Sequence, residues 1–232
     1  MRSLVVLAGL CALLTAGSGP AQAADECDGL PVCVPVAGPW VAVPTASTFP
    51  RPRVEYQLTC PRGYVVGGVD ARLSDRAIDV SIIGRVGSPI NPGITTARSV
   101  VFVARYVGAT AQAPSFRPFV GCLPSSGGGR IPTAVGAVVK PGEPTVRRVT
   151  SARVRPGTRT VASSCRGNEF LVDASRAFAF RTAQPPSASV IGTVSGSRSV
   201  SGQRVLVSVR GDAELGSIRA IVQVHAVCSR VR

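Results

Sequence analysis

The sequence predicts an all-β protein built as two tandem small antiparallel β-sandwich or jelly-roll-like modules, each closed by one long-loop disulfide. Three observations predict it. Valine, threonine, serine, glycine and proline are abundant and aromatic residues make up only 5% of the chain, a composition that favours short strands joined by turns over long helices. Several stretches alternate apolar and polar residues with period two, the signature of a strand with one buried face. Two cysteine pairs recur at nearly constant spacing, 62 residues from Cys60 to Cys122 and 63 from Cys165 to Cys228.

Met1 and Arg2 precede an apolar run from Leu4 to Ala16, and the small-residue pattern Ala21-Gln22-Ala23 follows. Residues 1–24 therefore read as a secretory signal peptide cut after Ala23 or Ala24. The run falls short of the roughly 20 residues of a membrane-spanning helix, so the mature protein is expected to have no transmembrane segment. A lipid anchor is the rival reading; Cys11 follows Leu10, where a lipoprotein signal places Gly or Ala.

Next come an N-terminal segment, 25–35, a first module, 36–123, a Gly/Ser-rich linker, 124–133, and a second module, 134–232. The modules are read from self-comparison. Cys60-Pro61-Arg62-Gly63-Tyr64 matches Cys165-Arg166-Gly167-Asn168-Glu169, and upstream Gly38-Pro39-Trp40-Val41 matches Gly142-Glu143-Pro144-Thr145-Val146. Spacing alone does not normally choose among cysteine pairings, but a duplicated frame does. If each module carries the same bond, Cys60 pairs with Cys122 and Cys165 with Cys228, leaving Cys27 and Cys33 to close a small ring. Such bonds suit an exported protein. A zinc site is disfavoured because no Cys-x-x-Cys knuckle occurs and the chain has one histidine. That the two units share one continuous core remains the alternative.

Strands are expected where Tyr56, Leu58 and Cys60 oppose Glu55, Gln57 and Thr59, and where Ile78, Val80 and Ile82 oppose Asp79 and Ser81. In the second module Phe178 and Phe180 oppose Ala177, Ala179 and Arg181. Val205, Val207 and Val209 oppose Ser208 and Arg210, and Val222, Val224, Ala226 and Cys228 share a face. Gly87 to Gly93, Pro185-Pro186-Ser187 and Ser195-Gly196-Ser197 read as turns.

The net charge is +14, and every basic residue except Lys140 is arginine. Such an excess attracts anionic polymers, although the single lysine favours the plainer reading of a GC-rich coding bias. Arg147, Arg153, Arg155 and Arg159 share strand parity and form the candidate anion-binding stripe, with Arg148 facing the other way. No aromatic residue interleaves them, which disfavours nucleic acid as the partner.

Catalytic signatures are sparse. His225 alternates with Gln223 on the face opposite Val224 and Ala226 and reads as an outward or half-buried strand residue. There is no Gly-x-Ser-x-Gly elbow and no phosphate-cradling loop, since Lys140 is followed by Pro141. Asp70, Asp75 and Asp79 lack counterparts in the second module and read as solvated loop carboxylates, with Asp75-Arg76 at an exposed turn. The expectation is a non-enzyme with no cofactor.

The frame Cys60-Pro61-Arg62-Gly63 and the closing run Val222-Gln223-Val224-His225-Ala226-Val227-Cys228 resemble a group of secreted bacterial β modules that begin Cys-Pro-x-Gly and end Val-x-Val-x-Ala-x-Cys. The second module lacks the proline after Cys165, and the first ends Phe119-Val120-Gly121-Cys122. The resemblance implies the fold and carries over no site. The functional expectation is therefore a basic, secreted or envelope-associated binding or structural protein. Its partner would be an anionic cell-wall polymer or polysaccharide, or an extracellular protein. The alternative is a secreted protease inhibitor presenting the loop Pro89 to Thr96.

Overall fold

A computed structural model describes residues 25–28, 32–46, 49–84, 98–109, 113–125 and 145–230. They form β1 (Val34–Ala37), β2 (Trp40–Ala42), β3 (Arg53–Thr59), β4 (Tyr64–Leu73), β5 (Ile78–Gly84), β6 (Ser99–Tyr106) and β7 (Ser115–Pro124). Then come β8 (Thr145–Arg153), β9 (Gly157–Ser164), β10 (Glu169–Arg181), a one-turn helix α1 (Ala188–Gly192), β11 (Val194–Ser201), β12 (Arg204–Gly211) and β13 (Arg219–Arg230). The all-β class is what the chain adopts, and the described residues contain no helix long and apolar enough to cross a membrane.

One large antiparallel sheet holds β4, β7, β1 with β2, β10, β13 and β8. β1 and β2 lie end to end along the same edge of β7, Val36 opposite Val120 and Val41 opposite Phe116. β2 also pairs with β10, Phe180 opposite Trp40, so hydrogen bonding runs unbroken from the first half of the chain into the second. A smaller sheet, β3-β6-β5, covers one face. The hairpin β11-β12, with β9 alongside β12, covers the other.

Strand alternation decides which half of the large sheet meets which layer. Val41, Phe116 and Val120 pack with Val54, Tyr56, Phe102 and Tyr106 in one apolar cluster, to which β10 contributes Ala177 and Ala179. The opposite face of β10 and β13, with Phe180, Val222, Val224 and Ala226, packs on Val205, Val207 and Val209 in a second cluster, against which Ala42 of β2 also packs. Neither cluster is confined to one half.

The pairings of the two halves correspond. Val66 lies opposite Cys122 and Leu171 opposite Cys228, and in both ladders the register shifts by one residue immediately afterwards, at Gly68 and at Asp173. Disulfides join Cys60 to Cys122 and Cys165 to Cys228, each with Cα atoms 5.7 Å apart, and Cys27 to Cys33.

Four expectations need correction. Ser195-Gly196-Ser197 lies inside β11, because the missing side chain of Gly196 leaves room for Ser208 O and the Phe178 ring, 2.5 and 3.0 Å from where a Cβ would stand. The upstream match of Val41 with Val146 does not survive pairing: Val41 faces Phe116, six residues before the closing cysteine, whereas Val146 faces Cys228 itself. The strand break at Gly38-Pro39 shifts the first half's register. β1 begins at Val34 and so crosses the expected boundary between 35 and 36. His225 is fully buried, because the first half's β3 lies over the face expected to be open. The loop from Pro89 to Thr96, the turn from Gly87 to Gly93, the signal segment 1–24 and most of the 124–133 linker lie outside the described residues.

Candidate functional site

Strand parity on β8 holds as far as the strand does. Arg147 and Arg153 share a face, opposite Val227 and Ile221. β8 ends at Arg153, so Arg155 sits in the connection and Arg159 on β9. Arg159 folds back to donate from Nη1 to the carbonyl of Arg153, 3.1 Å away. Arg153, Arg155 and Arg159 are exposed, but Arg147 is turned inward.

Arg147 belongs to a polar cluster beneath β3. Its guanidinium forms an ion pair with Glu55, whose carboxylate is 1% exposed. Ser175 Oγ donates to the same carboxylate at 2.9 Å and Arg53 Nε approaches it at 3.2 Å. Arg53 also bonds Asp173 Oδ2 at 2.7 Å. A carboxylate this deep is tolerated because donors fill its lone pairs.

The cluster continues through His225. Gln223 lays its side-chain amide against the free edge of β3: its Nε2 donates to the carbonyl of Gln57 at 3.0 Å, and its Oε1 accepts from the Gln57 amide at 2.8 Å. The backbone thereby sets the amide's orientation, so His225 Nε2, 2.8 Å from Gln223 Oε1, must be the protonated nitrogen. Nδ1 is then the acceptor for Arg147 Nη1 at 3.0 Å. Burial above all, with the charge of Arg147 adding to it against the opposing pull of Glu55, lowers the pKa of His225 to about 4. Both ring nitrogens are engaged, so in the folded state the ring is a structural joint between Gln223 and Arg147.

On the other face Arg148 makes a two-pronged pair with Glu169, at 2.9 and 2.5 Å, and the Arg166 amide adds a third donor at 2.8 Å. Hydrogen bonds from Arg148 and then from the Arg166 amide hold the Glu169 carboxyl at about 2. Glu169 lies beside Cys165 and Cys228, but those sulfurs are joined to one another and leave no thiolate for a metal.

The aspartates do not converge. Asp70, on β4, accepts from the amides of Ala71 and Asp25. Asp75 caps the β4–β5 turn through Ala77 N, and Asp79 sits on β5 opposite Arg105. Asp70 is thus a strand residue, contrary to the loop expectation, and Asp79 lies on the strand that its alternation with Ile78, Val80 and Ile82 predicts.

A second basic feature escaped the sequence reading. Arg72 and Arg117 are paired across β4 and β7, and their guanidiniums lie 5.9 and 5.4 Å from the centre of the Phe119 ring. Burial, and after it the charges of Arg72 and Arg181, lower the pKa of Arg117. Its Nε donates to the carbonyl of Gly38 at 2.9 Å. These arginines come from three separate strands, so no local run announces them. The buried cluster did leave a trace: the positions of β13 facing away from Val222, Val224 and Ala226 include Ile221, Gln223, His225 and Val227, less polar than an open sheet face requires. Compared with known proteins, the chain matches no family model, no curated protein and no solved structure.

Proposed function

We infer that the protein is exported through the segment 1–24 and serves outside the cytoplasm as a non-enzymatic binder of an anionic extracellular polymer. Its three disulfides suit an oxidising compartment. The observation that carries the reading is the placing of Arg72 and Arg117 side by side over the Phe119 ring, with the charge of Arg181 also acting on Arg117. Like charges held together repel, and a phosphate or carboxylate bound among them relieves the repulsion. Arg153, Arg155 and Arg159 add cations elsewhere on the surface, whereas Arg147 is engaged by Glu55 and drops out of the stripe.

Retention of the mature protein on immobilised teichoic acid, with neutral dextran as reference, tests this over a series of salt concentrations. Affinity should fall linearly on a log–log scale as salt rises. Arg72→Ser and Arg117→Ser should each lower the slope by about one, whereas Arg159→Ser measures the contribution of the other cations. Retention that ignores salt, or equal retention on dextran, removes the reading.

A further inference from the structure

β3 is an edge strand, and an unpaired edge is normally shielded from other chains by charge, twist or covering. Here the shield is chemical and specific. Gln223 takes both backbone groups of Gln57, and behind it His225 links Gln223 to Arg147, which holds Glu55 of β3. Every hydrogen bond in the chain Gln57–Gln223–His225–Arg147–Glu55 has its donor decided by the next. The imidazole can change its donor count, since once protonated it donates from both ring nitrogens.

We propose that this chain is an acid-sensitive latch, in which a proton on His225 Nδ1 releases the edge of β3 from β8 and β13 while the disulfide-closed sheets stay folded. The incoming proton would point at the Arg147 guanidinium nitrogen 3.0 Å away, replacing an acceptor with a second donor. The charged groups acting on the ring are Arg147 on β8 and Glu55 on β3; Glu55 is in turn bound by Arg53 on β3, which also holds Asp173 on β10, and β13 supplies the neutral Gln223. Glu55 alone faces the ring's side as an anion in direct contact with Arg147, and it already answers Arg147, Arg53 and Ser175. Relief comes from separation: His225 and Arg147 gain water once β3 lifts. The depressed pKa of His225 is the energetic counterpart of this geometry.

His225 is the only histidine, so its ring signals in NMR are unambiguous and can be followed with the Gln57 amide in one sample of full-length mature protein. As pH falls below 6, the ring should titrate far below an ordinary histidine. Over the same range, Gln57 exchange, corrected for its intrinsic pH dependence, should rise about tenfold per unit of pH. The backbone-paired amides of Phe102 and Val224 should stay protected. In His225→Gln, which stays neutral, Gln57 should remain protected down to pH 4. An ordinary His225 titration, Gln57 protection unchanged to pH 4, or the same loss in wild type and His225→Gln would each overturn the latch; the last would assign the opening to Glu55. Should His225→Gln fail to fold, the wild-type titration by itself decides.

Discussion

Arg147 on β8 reaches 92 residues back along the chain to Glu55 on β3 and closes an ion pair whose carboxylate is almost wholly removed from water. It ties the edge of the first half's smaller sheet to the second half of the large one. Because Ser175 and Arg53 share the carboxylate and His225 leans on the guanidinium, the pair sits in a network whose members depend on one another.

Removing one partner should therefore cost far more than removing both. Arg147→Met leaves Glu55 buried without its main counter-charge and should lower unfolding free energy by about 3–5 kcal/mol. The double variant Glu55→Leu with Arg147→Met should recover much of that loss. Urea unfolding of the four proteins of the cycle measures it; a double-variant loss equal to the sum of the two single losses would mean that the pair is not coupled.

Stability should fall on acidification in two stages. The pKa of His225 is about 4 folded against 6.5 free, so between those values the unfolded chain binds a proton that the folded state excludes. Stability then rises with pH through that window, is full above 6.5, and is about 3 kcal/mol lower below pH 4. Glu169, held at about 2 against 4.5, has the same sign: its contribution is present above 4.5 and is lost as pH falls towards 2. Urea midpoints over a pH series should slope in both windows, and His225→Gln should flatten only the upper one.

The long disulfides each close a loop of 62 or 63 residues. Loop-closure entropy assigns each about 4 kcal/mol. Replacing Cys60 and Cys122 together by alanine should lower stability by that order, and the equivalent change at Cys165 and Cys228 should do likewise. Calorimetry on the two variants checks it; an unchanged melting temperature in either refutes the entropic account for that loop.

Gly68 and Gly121 make room for the N-terminal ring. A Cβ at either would stand 2.0 Å from the Glu26 carbonyl, and at Gly121 also 2.8 Å from Cys33 Sγ. Gly121→Ala should push the ring off the sheet and expose Glu26, which is buried in the native protein. Cleavage after Glu26 by a glutamate-specific protease should then accelerate while amide protection along β7 and β13 persists. Cleavage at the wild-type rate would show that the ring does not rest on these glycines.

The strands and the long sulfur pairs could be read from the chain because their signals are local or covalent. Tyr56 and Leu58, or Val205, Val207 and Val209, announce a buried face by period two, and a repeated spacing of sixty-odd residues selects Cys60 with Cys122 and Cys165 with Cys228. What covers the reverse face of each strand has no such signal. Alternation placed Glu55 opposite Tyr56 and Leu58, and Gln223 and His225 opposite Val224 and Ala226, on faces expected to be outward or half-buried, and only the packing of β3 across β8, β10 and β13 turned those positions into an interior. The same packing withdrew Arg147 from the basic stripe, and the pairing of β4 with β7 brought Arg72 and Arg117 together. A side chain's face is a property of its own strand, whereas its burial and its partner depend on which distant strand lies over that face.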